Sequence, residues 1–208
     1  MTLDIDAVIM AHPDRADHAR WLAVQLGARI IWDQGHGEWD TGRRAWATIR
    51  PSSQWGLVVQ DDALPIPHTM AHLHAALHHT PPVPVSLYVG TGRPHAHQVA
   101  AAVTQARQHN ASWLEARTLF WGVAVAVPTD QIQDMLTTCA QSQLPYDNRI
   151  GSHWSKQGKA IRYTWPSLVD HQDGKGLVDH SGKRSCVRKA HEVRTPDGWN
   201  GPTIRIAA

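Results

Sequence analysis

Short apolar runs alternate with amphipathic stretches over the first half of the chain. Residues 6–12, 28–33, 55–60 and 85–90 have the composition of buried strands, and the segments between them have the apolar spacing of helices. A strand–helix–strand rhythm of this kind is typical of a mixed, mostly parallel sheet with helices on both of its faces. We therefore predict an α/β fold.

The rhythm changes in the second half. Residues 118–128 form a long β-rich apolar run, two helical stretches follow, and 160–171 have the pattern of a last strand. After Asp173 the sequence is rich in Gly, Lys, Arg, Ser and Pro, which indicates irregular backbone. At 208 residues, and with no linker-like segment, we expect one domain over residues 1–173 and a basic tail over 174–208 that closes over a bound ligand.

Composition and charge narrow the function classes. No apolar run approaches eighteen residues, so we expect no membrane segment, and Cys139 and Cys186 lack metal-ligand spacing, so we expect a reduced, cytoplasmic protein. Residues 1–148 carry 9 Lys/Arg against 13 Asp/Glu, a net of −4, whereas residues 149–208 carry 11 against 5, a net of +6. A basic C-terminal quarter suggests an anionic partner such as a nucleotide diphosphate or nucleic acid, although a solvated basic tail explains the charge equally well.

Acidic side chains follow several of the predicted strands. Ligands of open α/β sheets bind beyond the carboxyl ends of the strands, where these acids should gather. Carboxylates and an imidazole suit Mg²⁺ or Mn²⁺ shared with a phosphate. The alternative is that the adjacent pair at 61 and 62 is a turn that caps the next helix. The residues concerned are Asp33, Asp61, Asp62 and Asp170, with His171 beside the last.

Five segments resemble glycosyltransferases with the GT-A fold. QDDALP at 60–65 resembles the family's DxD-type motif, and TGRRAWATI at 41–49 is similar to its Ala-Arg-Asn helix. FWGVAVAVP at 120–128 looks like the acceptor-side strand, YDNRIGSHWSKQG at 146–158 resembles the segment that carries the catalytic base, and TWPSLVDH at 164–171 looks like the closing strand. The order HPDR, WD, DDALP, PSLVDH is similar to that of small glycosyltransferases encoded by bacteriophages.

This resemblance implies a single GT-A (Rossmann-like) domain and a role for each matching residue. Asp33 would hold the nucleoside, Arg44 or its neighbour Arg43 would face the donor, and Asp61 would contact ribose or sugar hydroxyls. Asp62 and His171 would hold Mn²⁺ or Mg²⁺, and Asp147 would be the catalytic base of an inverting reaction. The sequence departs from the family pattern at Gln60, the first position of the DxD-like triplet, and at Asn148, where a second acid is expected.

Several further residues have two interpretations. His12 ends the first strand and either contacts the nucleoside or fills a polar position at the strand end. The same two interpretations apply to Arg15. Basic residues of the tail (Lys183, Arg184, Arg188, Lys189) would fold over the phosphates of the donor. Histidines 68, 72, 74, 78 and 79 share one predicted helix, where a solvated or half-buried face is favoured over a metal site. Trp121, Trp154 and Trp165 either line an acceptor groove or pack in the core.

The resulting hypothesis is a metal-dependent glycosyltransferase with a nucleotide-sugar donor, UDP-linked by preference. Its acceptor would be a macromolecule: a modified base in phage duplex DNA, such as 5-hydroxymethylcytosine, or a virion protein. The alternatives are a nucleotidyltransferase, for which the sequence lacks a Gly-rich phosphate loop after the first strand, and a non-catalytic nucleotide-binding module.

Overall fold

The computed structural model describes residues 3–92, 96–172 and 188–207. Within these ranges the strands are β1 (Ile5–Ala11), β2 (Arg29–Trp32), β3 (Trp55–Gln60), β4 (Ala63–Pro65), β5 (Val85–Ser86), β6 (Trp113–Ala116), β7 (Ala124–Pro128), β8 (Ile161–Thr164), β9 (Val169–His171) and β10 (Thr203–Arg205). The α-helices are α1 (Ala16–Leu26), α2 (Glu38–Ala47), α3 (Thr69–Leu77), α4 (Ala96–Gln108), α5 (Thr129–Ala140) and α6 (Tyr146–Lys156). None of the described helices is long and apolar enough to cross a membrane.

Eight of these strands form one mixed sheet in the order β10-β6-β8-β5-β7-β3-β1-β2. Four of the seven neighbouring pairs are parallel (β10–β6, β8–β5, β3–β1 and β1–β2), and three are antiparallel. The predicted α/β architecture with a mostly parallel mixed sheet is confirmed. In the parallel part of the sheet, β3, β1 and β2 have their carboxyl ends at the same edge, and the predicted acids follow the strands there.

Helices cover both faces of the sheet because successive residues of each buried strand point to opposite sides. In β1, Val8 and Met10 pack into the core cluster under α2, α4, α5 and α6, whereas Ala7 and Ile9 pack into the cluster under α1 and α3. A strand buried on both faces reads as a continuous apolar run, which is why the sequence signal for this strand is strong.

The segment 160–171 is not one strand, contrary to the sequence prediction. β8 ends at Thr164, and the chain leaves the main sheet at Trp165 and Pro166, a residue without a backbone N–H to donate. It then forms β9, which pairs antiparallel with β4 in a separate two-stranded sheet. In that pairing His171 lies opposite Ala63, so the β-ribbon carries the histidine to the residue that follows Asp62.

Part of the predicted irregular tail has regular structure. β10 adds to the edge of the main sheet, parallel to β6. Upstream of it, Ala190 forms an isolated antiparallel bridge with Gly90, and the Lys189 carbonyl accepts hydrogen bonds from the backbone N–H and the hydroxyl of Thr91. These contacts fix residues 188–191, called the C-terminal strap below, beside the carboxyl end of the sheet.

Candidate active site

A pocket of about 320 Å³ lies at the carboxyl ends of β1, β2 and β3. This is the place that the sequence predicts for a ligand of an open α/β sheet. Two arginines, four carboxylates and an imidazole give its wall a strongly charged character. The polar residues that line it are His12, Arg15, Asp33, Glu38, Thr41, Gln60, Asp61, Asp62 and Arg188.

Asp61 is a buried carboxylate whose two oxygens are both held by the protein. Oδ2 accepts a hydrogen bond of 2.6 Å from the backbone N–H of His12, and Oδ1 accepts one of 2.7 Å from Nη1 of Arg15. Burial raises the pKa of Asp61, while these two donors oppose the rise. Asp61 therefore ties the end of β3 to the end of β1 and orients Arg15 in the pocket.

Asp62 and His171 lie together, as the resemblance implied. Nε2 of His171 is 3.4 Å from Oδ2 of Asp62, and the backbone N–H of Gln172 donates to the Asp62 carbonyl at 2.7 Å. Asp62 Oδ1 and His171 Nδ1 are buried and have no hydrogen-bond partner among the described residues. Buried polar atoms are normally satisfied, so these two have the character of ligand atoms.

A divalent metal ion fits this pair only as a partly protein-held ion. No group of three or more His, Cys, Asp or Glu within the described residues is arranged to hold a metal ion. Mg²⁺ commonly takes one or two protein ligands and completes its shell with water and substrate phosphate, and the Asp62–His171 pair suits that mode. Arg15 Nη1 also lies 2.8 Å from Asp62 Oδ2, so the guanidinium and a metal ion would share this oxygen or exchange on it.

Asp33 and His12 face each other where β1 and β2 end side by side. Ala11 pairs with Trp32 in the parallel ladder, which places the next residue of each strand at the pocket, with His12 Nε2 at 3.9 Å from Asp33 Oδ2. The Thr41 hydroxyl donates to Asp33 Oδ1 at 2.7 Å, and this bond is the main reason that the pKa of Asp33 is lowered. Asp33 is therefore held as an oriented carboxylate on the pocket wall.

Glu38 is a pocket residue that the sequence analysis missed. Residues 34–42 read as a glycine-bearing loop, but α2 begins at Glu38, five residues before the helical pattern becomes visible at Arg43. The Gln60 side-chain amide donates to Glu38 Oε1 at 2.9 Å. Burial, with smaller contributions from the charges of Asp147 and Asp62, raises the pKa of Glu38 to about 7. The sequence signal that could have revealed it is an acid, Glu38, that lies three residues after Gly35 and ahead of an amphipathic stretch.

Arg188 brings the C-terminal strap to the pocket. It is half-buried and lines the cavity, and its charge opposes the rise in the Glu38 pKa. The strap is anchored by Asp170, whose Oδ1 accepts the backbone N–H of Ala190 at 2.8 Å, and by the Val89 carbonyl, which accepts the N–H of His191 at 2.8 Å. Asp170 thus has an anchoring role, and of the tail residues named from the sequence Arg188 lines the cavity.

Asp147 lies in the first turn of α6, outside the set of residues that line the pocket. Its neighbour Tyr146 is fully buried and accepts a hydrogen bond of 2.8 Å from the indole N–H of Trp46, which fixes the start of the helix. The Asp147 side chain is half-buried, and its negative charge contributes to the raised pKa of Glu38. Asp147 on α6 and Asp62 after β3 therefore both add negative charge near Glu38.

Other residues singled out from the sequence lie elsewhere. Arg44 binds Asp40 at 2.7 Å and the Trp32 carbonyl at 2.9 Å and does not line the pocket, and Arg43 also pairs with Asp40. Lys183 and Arg184 are outside the described residues.

The aromatic and histidine candidates are mostly structural. Trp154 and Trp165 are buried in the core, whereas Trp121 is partly buried and packs edge-on against Tyr88. On α3, His74 Nε2 accepts the backbone N–H of Leu3, and its ring lies edge-on to that of His78. The histidine face is thus used for packing and local hydrogen bonds, which agrees with the interpretation favoured from the sequence.

Comparison with known proteins gives one kind of match. A scan against protein-family models finds no matching family, and a search of curated proteins finds no match. Among solved structures, the chain is similar to a mutant of the Drosophila β-1,4-galactosyltransferase 7 in complex with manganese, UDP-Gal and xylobiose. The sequence identity is 9%, the TM-score is 0.41, and the match covers 84% of this chain and 77% of that chain.

Proposed function

We propose that this protein is a metal-dependent glycosyltransferase that moves a sugar from a nucleotide-sugar donor, a UDP-sugar, to a hydroxyl group of a macromolecule. The observation that carries the proposal is the pairing of Asp62 with His171, two buried groups with unpartnered ligand atoms, inside a pocket at the carboxyl ends of the strands. The order of sequence motifs that resemble GT-A enzymes supports the same conclusion.

The residues of the pocket divide into a nucleoside side and a phosphate side. Asp33 and His12, at the ends of β2 and β1, would accept and donate hydrogen bonds to the nucleoside. Arg188 would bind the diphosphate, as would Lys183 and Arg184 of the tail, because guanidinium groups match phosphate oxygens. Arg15, held by Asp61, would add positive charge between the two sides. Arg44, through its bonds to Asp40 and the Trp32 carbonyl, would support the strand end that carries Asp33.

Asp62 and His171 would hold Mn²⁺ or Mg²⁺. When bound, such an ion stabilises the negative charge that develops on a diphosphate leaving group. The chain's part is to fix one carboxylate oxygen in the turn between β3 and β4 and one imidazole at the end of β9, so that the donor meets a preorganised site.

Asp147 would act as the base of an inverting transfer. The acceptor oxygen forms a bond to the anomeric carbon, and its proton passes to the Asp147 carboxylate. The bond between the anomeric carbon and the diphosphate oxygen breaks at the same time, and the electron pair leaves with the diphosphate. General bases of this kind contribute about 10²- to 10⁴-fold to the rate.

The first expected result is donor binding. In a thermal-shift panel of UDP- and GDP-sugars, a UDP-sugar with Mn²⁺ should raise the melting temperature by about 5 °C or more at a hundredfold excess over its Kd. Mn²⁺ alone and the sugar nucleotide alone should each give a smaller shift, since each supplies only part of the site. If no nucleotide sugar shifts the transition with or without metal, the proposed function is wrong.

The acceptor that we propose is a modified base in DNA, with a virion protein as the second choice. The net charge of +6 over residues 149–208 favours DNA, because phosphate contacts need Lys and Arg. Binding to duplex DNA that contains 5-hydroxymethylcytosine should therefore weaken by at least about tenfold between 50 and 200 mM salt, as expected for several phosphate contacts. A Kd that does not respond to salt would remove DNA as the acceptor and leave the donor chemistry untouched. We place this reaction in the cytoplasm, where Cys139 stays reduced.

A further inference from the structure

Glu38 is the pocket carboxyl to which the chemistry above gives no part. It begins α2, its side chain lines the same cavity as Asp33, Asp62 and Arg188, and Gln60 holds its Oε1 at 2.9 Å. Both partners stand on regular elements, α2 and β3, so the carboxyl has a fixed place at the wall. A carboxyl in this position will lie next to any anion that binds in the pocket.

The groups that face Glu38 make its ionised form unfavourable. Asp62, after β3, and Asp147 from α6 are negative, whereas Arg188 of the strap and the Gln60 amide favour the carboxylate. With burial as the largest cause, the pKa of Glu38 is raised to about 7. The other titratable or charged groups around the cavity are Arg15 and Asp61, which are paired, Asp33, His12, and His171 behind Asp62. An anionic ligand beside Glu38 would disfavour the carboxylate further.

We propose that Glu38 binds the diphosphate of a nucleotide sugar as a neutral acid, donating a hydrogen bond from its carboxyl O–H to a phosphate oxygen, so that donor binding takes up one proton. This inference rests on the proposed function and adds a further donor-binding group to it. The proton comes from solvent and forms an O–H bond on the carboxyl of Glu38, while Oε1 continues to accept from Gln60. An ionised Glu38 would instead set one more carboxylate against the diphosphate and offer it no hydrogen bond.

Isothermal titration calorimetry of UDP-glucose between pH 6 and 8, at one saturating Mn²⁺ concentration, tests this coupling. Both phosphates of UDP-glucose are diesters, so the ligand itself does not titrate in this range, unlike the terminal phosphate of UDP. For a group with a pKa of about 7 that must be protonated to bind, the Kd of the wild type should rise about tenfold from pH 6 to pH 8. Bound Mn²⁺ lowers the midpoint, which makes the rise over this range larger than tenfold and keeps its direction.

Glu38→Gln is the matched variant, because Gln keeps the size and the acceptor for Gln60 and carries N–H donors at every pH. We expect its Kd to vary by less than about twofold over the range and to equal the wild-type value at pH 6. The other pocket residues are the same in both proteins, so their contribution cancels in the comparison. Titrations in two buffers of different ionisation enthalpy should show uptake of close to one proton by the wild type at pH 8 and none by the variant.

The outcomes separate this inference from the function on which it rests. Equal pH dependence and equal proton uptake in the two proteins would overturn the role of Glu38 while leaving donor binding established. Absence of binding by UDP-glucose, UDP-galactose and GDP-mannose to either protein would overturn both. If Glu38→Gln fails to fold, Glu38→Ala provides the same test, with weaker binding at pH 6 but again without the wild-type slope.

Discussion

Asp62→Asn should lower the Mn²⁺-dependent turnover of a UDP-sugar by about 10³-fold, equivalent to roughly 4 kcal/mol of transition-state stabilisation. The substitution keeps the shape of the side chain but removes the negative charge that a divalent cation needs. Asp61→Asn should leave metal affinity closer to that of the wild type, since both Asp61 oxygens are already used by His12 and Arg15. Donor hydrolysis and Mn²⁺ affinity, the latter from electron paramagnetic resonance, should fall together in the Asp62 variant.

Asp17→Asn is the control for a general effect of charge. Asp17 is fully exposed on α1 and pairs only with Arg20 among the described residues, so its loss should change turnover less than twofold. His171→Gln should reproduce the loss of metal affinity, because the imidazole and Asp62 form one site. Full Mn²⁺-dependent activity in Asp62→Asn would show that the metal binds elsewhere.

The strand ends of this fold could be predicted from sequence because burial on both faces leaves a clear signal. The run at 55–60 is a strand over the predicted residues, and Asp61 and Asp62 follow it as expected. A strand also follows at 161–164, but the pairing of β9 with β4 depends on a contact between residues about a hundred positions apart. No local pattern encodes that contact, and the position of His171 beside Asp62 came from family resemblance.

The rest of the site depends on features that local patterns do not carry. Glu38 was read as part of a loop because α2 begins at a glycine without a side-chain cap, so the usual helix-start signal is missing. Arg44 was assigned to the donor from family resemblance. Helix position alone does not tell which way a long side chain turns, and here Asp40, one turn earlier, holds it. The hydrogen bond from the strap to Asp170 is another long-range contact. From the sequence, the position of Asp170 at a strand end suggested a ligand role instead.

Asp147→Asn should reduce transfer to the acceptor by about 10²- to 10⁴-fold while leaving the donor Kd within about twofold of the wild-type value. The reason is geometric: Asp147 lies outside the residues that line the pocket. Transfer of labelled sugar to 5-hydroxymethylcytosine DNA or to virion protein, measured beside donor binding by calorimetry, separates the two effects. Slow hydrolysis of the donor should persist in this variant.

Asp130→Asn is a matched control, because Asp130 is the first-turn acid of α5 as Asp147 is of α6. Both substitutions remove a charge that favours a helix N-terminus, worth about 0.3 to 1 kcal/mol of stability, so any difference between them in transfer reports chemistry and not helix stability. The donor Kd values of these variants should be compared at pH 6, because removal of the Asp147 charge lowers the pKa of Glu38 and so weakens donor binding at higher pH. Equal loss of transfer in both variants, or weakened donor binding in Asp147→Asn alone, would contradict the assignment of Asp147 as the base.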